Sequence, residues 1–183
     1  VLDEQINHLQ LVRNRLAHRC AQMENVKEVR DRNQEVSIKE VGQNFLLYAE
    51  VDSPRSFSEI SIATKKCFSQ ALKDSLPIFF QTGVVVPYQH ILEGRYTEAS
   101  IAFLPIENTQ KAPNIITLPH GQAASIYHYG TYQSMEYSYK KLLNYCKEHK
   151  LEIISDSYEF CINDYISSGD EKEYITEIFF YVR

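Results

Sequence analysis

The predicted elements occur twice in the same order, and this repeat restricts the possible folds more than any other feature of the chain. Apolar runs predict strands at 36–41, 45–51, 83–88 and 97–105, with an amphipathic helix beginning at Ser53-Pro54. The same β-β-α-β-β order follows in the second half, with strands at 114–118, 122–129, 157–163 and 173–182. Thr131 can cap the second helix.

A shift of 79 residues supports an internal duplication. It places Gly42-Gln43 on Gly121-Gln122 and Thr97-Glu98 on Thr176-Glu177. The overall identity of the halves is barely above chance, so the order of elements is the stronger indication. We expect an α+β domain with a duplicated β-α-β-β unit, one antiparallel sheet and both helices on one face. A cleft between those helices is then the favoured place for a ligand.

The first segment predicts a separate dimerisation helix over residues 1–30, with the α+β domain at 35–183. Its apolar residues alternate at spacings of four and three, interrupted by one Arg, which is the seam of a coiled coil: Leu2, Ile6, Leu9, Arg13, Leu16, Cys20 and Met23. Packing of this helix against its own domain is the alternative. The chain begins at Val1 inside this helix, which suggests that an N-terminal portion precedes it.

Charge and cysteine usage narrow the class of protein. A net charge of −5 argues against direct binding to duplex DNA, because phosphate contacts favour a basic surface. The four cysteines form no C-x-x-C pair or zinc-site spacing, and no segment is apolar enough for a signal peptide or a membrane span. We expect a cytoplasmic protein with reduced thiols, no metal, no cofactor and no membrane association.

Glu159 is the strongest candidate for a functional side chain. It lies in a segment with strand propensity, on the same side as Cys161 and Asn163. The matching strand of the first half, Val84-Val85-Val86, carries no acid. A buried carboxylate costs several kcal/mol unless it is paired or protonated, and a cationic ligand would supply the missing charge. A Glu at the rim facing water, or paired with Lys or Arg, is the alternative.

Tyrosines near the second helix could form a ligand pocket. Aromatic faces attract cations, and several of these residues lie close together in sequence: Tyr127, Tyr129, Tyr132, Tyr137, Tyr139, Tyr145 and Tyr158. His128 could share the cleft or be an ordinary half-buried histidine. No H-E-x-x-H, G-x-S-x-G, P-loop or G-x-G-x-x-G motif occurs, so we do not expect an enzyme.

Two parts of the chain resemble a known family. The leading helix followed by residues 36–41 is similar to the junction in MerR-family transcription regulators, where a dimerisation helix runs into a GyrI-like effector-binding domain. Residues 125–127, 151–159 and 173–178 resemble the multidrug-sensing BmrR type, and the last of these is typical of GyrI-like domains generally.

The resemblance implies a small-molecule effector, a homodimer through the N-terminal helix, and promoter contact only through a winged helix-turn-helix domain before Val1. It implies that Glu159 receives a lipophilic cation and that Tyr174 is an aromatic pocket residue. Met135 and Cys161 match pocket positions at which this sequence has a different residue type, and Gly130 replaces an aromatic residue.

Two other functions remain open. Stand-alone GyrI-like hydrolases of electrophiles would use Glu159 as a general base, oriented by a tyrosine such as Tyr174. A protein-binding module is the second alternative, and it predicts a solid core in place of a cleft.

Overall fold

A computed structural model of the chain describes residues 2–29, 35–107, 113–164 and 168–183. The helices are α1 (Leu2–Val29), α2 (Phe57–Lys73), α3 (Tyr88–Leu92) and α4 (Met135–Glu148). The strands are β1 (Ser37–Val41), β2 (Asn44–Glu50), β3 (Gly83–Val86), β4 (Ile101–Ile106), β5 (Ile115–Leu118), β6 (Gly121–Tyr129), β7 (Ser157–Asn163) and β8 (Ile175–Tyr181). Short 3₁₀ turns at Tyr132–Ser134 and Glu171–Glu173 precede α4 and β8.

The eight strands form one antiparallel sheet in the order β1-β6-β8-β7-β3-β4-β2-β5. This confirms the expected α+β class with an antiparallel sheet. The order is symmetric about the pairing of β7 with β3, where Glu159 lies opposite Val84. An origin by internal duplication stays a prediction.

The two long helices of the α+β region bury the stripes that their apolar spacing predicts. In α2 these are Ala63, Thr64, Cys67 and Ala71, and in α4 they are Met135, Ser138, Tyr139, Leu142 and Cys146. Val84 of β3 packs against apolar clusters from both helices. The two helices therefore lie on either side of Val84, over the centre of the sheet.

The other face of the sheet carries a second apolar cluster. Because side chains alternate along a strand, Val85, Phe103 and Phe179 point away from the α4 cluster. Tyr158 and Phe160 of β7 pack with them, on the face opposite Glu159. The central strands are thus buried on both faces, which restricts how far β7 can move.

Helix α1 contacts its own domain through polar side chains. Arg15 forms a two-bond ion pair with Glu107 at 2.9 and 3.1 Å, and Arg19 donates to the carbonyl oxygen of Cys161 at 3.0 Å. Met23 packs near Ile162 and Ile175. By contrast, Leu2 and Leu9 of the predicted seam are 71% and 66% exposed, which leaves an apolar stripe available to a partner. Pairing as a coiled coil stays a prediction.

The starts of α2 and α4 and the segment around His90 differ from the sequence-based expectation. Thr131 precedes a 3₁₀ turn and forms no side-chain capping hydrogen bond, and α4 begins only at Met135. Pro54 lies in a turn after a cis peptide bond, and α2 begins three residues later at Phe57. The segment around His90, expected as a loop, contains the short helix α3. Its five residues bury His90 and Ile91, too few for a helical period to be recognised in sequence. No helix in the described ranges is long and apolar enough to cross a bilayer.

Candidate functional site

A cavity of about 180 Å³ lies between α2 and α4, above β3 and β7. Residues from the α2 side and from the α4 side form its walls: Arg55, Phe57, Ile60, Thr64, Tyr132 and Met135. Its floor is formed by strand residues: Gly83, Val84, Val86, Glu159 and Cys161. The cleft expected between the two helices is therefore present in the structure.

Glu159 lies at the floor of this cavity and is only 3% exposed. Strand alternation places it on the helix face of β7, together with Ser157 and Cys161. Among the described residues it forms no ion pair with a cation. Burial raises the pKa of its carboxyl group from 4.5 to about 7, and the hydrogen bond from Tyr139 opposes this shift.

Tyr139 anchors the carboxylate from α4. Its hydroxyl donates to Oε1 of Glu159 and lies 2.9 Å from the Ser157 hydroxyl oxygen. Because a tyrosine hydroxyl carries one hydrogen, the Ser157 hydroxyl can donate in return. Burial, together with the neighbouring carboxylate, raises the pKa of Tyr139, so this hydroxyl stays protonated as a donor.

Aromatic rings surround the acid. Tyr96 stacks on Tyr139 at 5.5 Å between ring centroids, and Phe57 contacts Tyr132 at 5.8 Å across the two helix starts. The Tyr132 hydroxyl lies 3.2 Å from the sulfur of Cys161. Burial raises the pKa of the Cys161 thiol to about 11, so it is protonated at neutral pH and a poor nucleophile.

The sequence-predicted site residues divide into two groups. Glu159, Met135 and Cys161 line the cavity together. Tyr127, His128, Tyr129 and Tyr174 do not line it, because β6 and the turn before β8 present them elsewhere.

The two β6 tyrosines pack near Ile162 and Ile175, away from the cleft. His128 lies under α4, with Nδ1 2.8 Å from the Ser138 hydroxyl and Nε2 2.9 Å from the Thr131 carbonyl. Burial lowers the pKa of His128, so this histidine is neutral. Its hydrogen bonds connect β6 to α4 and to the turn before α4. Tyr174 ends a 3₁₀ turn, and its carbonyl accepts from the amide of Gly130.

Three residues of the site, Arg55, Phe57 and Tyr96, were not recognisable from the sequence. Phe57 belongs to the apolar residues that recur at helical spacing in α2. Because it lies in the first turn of that helix, the spacing does not predict the direction of its ring. Tyr96 follows α3, whose presence the sequence did not reveal. Tyr139 was visible in the apolar stripe of α4, four residues after Met135.

The family of the chain follows from its sequence match. Residues 80–183 match the GyrI-like small molecule binding domain. The chain belongs to the GyrI-like family. The match includes β3, α4, β7 and β8, and so contains Glu159 and most of the cavity floor.

Solved structures share the fold of this GyrI-like chain. The crystal structure of the EcmrR C-terminal domain has a TM-score of 0.67 at 17% identity, over 81% of this chain and 97% of that chain. EcmrR in a cryo-EM structure of its DNA complex has a TM-score of 0.65 at 17% identity, over 100% and 68%.

Two further relatives are more distant. A hydrolase from Listeria innocua has a TM-score of 0.53 at 9% identity, over 86% of this chain and 98% of that chain. SAV2435, solved with bound tetraphenylphosphonium, has a TM-score of 0.51 at 14% identity, over 81% and 94%. At these identities the likeness establishes the fold alone. No curated protein matches the sequence of this GyrI-like chain significantly.

Proposed function

We propose that this chain is the effector-binding and dimerisation part of a MerR-type transcription regulator, and that its cleft senses a lipophilic organic cation. One observation carries the proposal: Glu159 is buried among aromatic rings without a cationic partner in the described residues. An ionised carboxylate in such a place is destabilising until a positive charge joins it. Tyr96, Tyr132 and Phe57 line the same cavity, and aromatic rings attract cations.

The cavity volume limits the ligand that fits without rearrangement. An apolar cavity of about 150 Å³ is enough for benzene. At about 180 Å³, this cleft suits one substituted ring carrying an ammonium group. A larger ion such as tetraphenylphosphonium, which SAV2435 binds, requires α2 and α4 to separate.

Calorimetric titration with benzyltrimethylammonium tests the proposal. Its neutral isostere, neopentylbenzene, has the same shape without the charge. We expect wild type to prefer the cation, and Glu159→Gln to weaken cation binding by about tenfold to hundredfold, because the variant removes the negative charge that the buried cation requires. Glu148→Gln removes a charge from the exposed end of α4 and serves as the matched control, with unchanged affinity expected. Equal affinity of wild type and Glu159→Gln for the cation contradicts the proposal.

The pH dependence gives an independent check of the same interaction. Because the pKa of Glu159 is about 7, the ionised fraction rises through neutral pH. Affinity for benzyltrimethylammonium is expected to increase between pH 6 and 8 in wild type, and to stay flat in Glu159→Gln. A flat profile in wild type would contradict titration of Glu159 in this pH range.

A hydrogen bond at β7 supports transmission to α1. The side chain of Cys161 faces the cleft, while its carbonyl oxygen accepts from Arg19 of α1. We propose that contact between the ligand and Cys161 is passed to α1 through this hydrogen bond. We propose that the dimer passes this change to a winged helix-turn-helix in the longer, cytoplasmic protein, and the EcmrR–DNA complex supports that role.

Hydrolysis is the second candidate function. A buried Glu with a pKa of about 7, held by the Tyr139 hydroxyl, has the properties of a general base, and one fold relative is a hydrolase. We propose binding without turnover instead, because the hydrogen bond from Arg19 to β7 provides a route for signalling to α1. Hydrolysis of an activated ester or epoxide that is abolished in Glu159→Gln would favour the enzyme.

A further inference from the structure

Arg55 brings a positive charge into the cavity that contains Glu159. It lies in the turn between β2 and α2, half-buried, and lines the cleft. Its guanidinium nitrogen Nη1 lies 2.9 Å from Nε2 of His90, whose Nδ1 lies 2.8 Å from the carbonyl oxygen of Glu98. A carbonyl only accepts, so Nδ1 carries the hydrogen and Nε2 accepts from Arg55. The guanidinium is thus held in place by a neutral partner that leaves its charge intact.

No carboxylate neutralises Arg55 in the described part of the chain. It forms no ion pair there, with Glu159 or with any other acid. Four carboxylates lie close to Arg55 in sequence or near its partner His90, and each interacts with another group. Asp52 pairs with Lys66, Glu59 accepts a hydrogen bond from Ser56, and Glu93 and Glu98 pair with Arg95. One small cavity therefore contains an acid on its floor and a cation on its wall, which do not form an ion pair with each other.

The backbone conformation at Arg55 determines which substitutions this position tolerates. Its φ is 60°, in the left-handed region where Gly or Asn is favoured.

We propose that Arg55 is an anion-recognition residue, and that the preferred ligand is amphoteric: an aromatic body with a cationic group toward Glu159 and a carboxylate toward Arg55. The inference rests on the proposed cation-sensing function and extends it to the opposite end of the ligand. Arg suits this role because its planar fork binds a carboxylate through two hydrogen bonds. A ligand with both charges leaves neither Glu159 nor Arg55 without a counter-ion.

A matched pair of probes tests the inference on the whole chain. Benzyltrimethylammonium and its 4-carboxy derivative differ only in the carboxylate. Calorimetry at about 0.15 M salt limits the contribution of distant charges. We expect wild type to bind the carboxy derivative about tenfold more tightly, as for one charge-assisted hydrogen-bonded pair.

Variants at Arg55 separate charge from geometry. Arg55→Asn suits a φ of 60° and should abolish the preference for the carboxylate. Arg55→Lys keeps the charge without the fork and should retain part of it. Lys73→Gln removes an exposed charge from the last turn of α2 and should keep the full preference. Thermal unfolding of each variant establishes that it is folded.

The outcomes distinguish the two proposals. Equal binding of both probes by wild type, or the same preference in Arg55→Asn, overturns the role of Arg55. The cation-sensing proposal then stands if Glu159→Gln still weakens benzyltrimethylammonium binding. If wild type binds neither probe, both proposals are wrong.

Discussion

Glu159 makes the stability of the folded chain fall as pH rises. Its pKa is about 7 in the folded state and returns toward 4.5 in the unfolded state, where water surrounds it. Below pH 4.5 both states are protonated and the residue contributes no difference. Between pH 4.5 and 7 only the unfolded state releases the proton, so unfolding becomes easier, and above pH 7 the penalty is constant.

Urea unfolding of wild type and Glu159→Gln from pH 5 to 8 measures this effect. Glu159→Gln cannot ionise, so its free energy of unfolding relative to wild type should rise with pH and level off above pH 7. The shift corresponds to at most about 3 kcal/mol. The difference between the variants removes the contribution of surface carboxylates that they share. A constant difference across this range would contradict the raised pKa.

At the residue scale, the acid was more predictable from the sequence than its surroundings were. Glu159 was recognisable because strand alternation and the absence of an acid in Val84-Val85-Val86 single it out. The tyrosines of β6 were grouped with it by sequence proximity. Strand alternation places Tyr127 and Tyr129 on the face of β6 opposite Ala124 and Ile126. Which of the two faces adjoins the cleft depends on the position of α4, and periodicity alone does not give that position.

At the element scale, β3 and β7 approach closely at Gly83. A Cβ at this position would overlap the ring of Phe103 and lie 2.5 Å from the carbonyl oxygen of Glu159. Two central strands and a buried ring leave no direction for this atom to move.

Gly83→Ala should therefore destabilise the chain by about 1–3 kcal/mol, the usual cost of overpacking. Chemical unfolding measures this destabilisation, and cation affinity should fall with it because β7 carries Glu159. Gly42→Ala is the control, since a Cβ at Gly42 meets no atom within 4 Å. A neutral effect of Gly83→Ala would mean that β3 and β7 are not packed as described.

The ion pair between Arg15 and Glu107 fixes α1 to its domain. Arg15 is buried, and both of its hydrogen bonds reach the same carboxylate. A double-mutant cycle with Arg15→Met and Glu107→Gln, followed by urea unfolding, should give a coupling of about 1 kcal/mol, since Glu107 is partly exposed. Hydrogen exchange in α1 should accelerate in either single variant. Additive effects of the two changes would indicate that this pair does not hold the helix.

Long elements were predictable and short ones were not. The periods of α1, α2 and α4 extend over several turns, so their apolar stripes identify them. The five residues of α3 cover little more than one turn, and the start of α2 depends on a turn at Pro54 that competes with helix initiation.

At the scale of the whole molecule, the exposed stripe on α1 predicts a dimer. Leu2, Ile6, Leu9 and Leu16 are all exposed, while Arg15 and Met23 face the domain. Sedimentation of wild type should give a dimer, because burying four such side chains supplies several kcal/mol. Leu9→Glu combined with Leu16→Glu should give a monomer of unchanged cation affinity. Exposed Ile62→Glu on α2 is the control, and a monomeric wild type would contradict the prediction.

Glu159 pairs with Val84 at the centre of a symmetric strand order, so the two sides of the cleft floor differ in charge. On the floor of the cleft, the β7 side carries a carboxylate and the β3 side carries the methyl groups of Val84, so the ammonium group of the proposed cation is attracted to one side only. One orientation of the proposed cation is therefore expected to be favoured. An isotope-labelled aromatic ring bound in the cleft should therefore show one set of NMR resonances, although the strand order is symmetric about the pairing of β7 with β3.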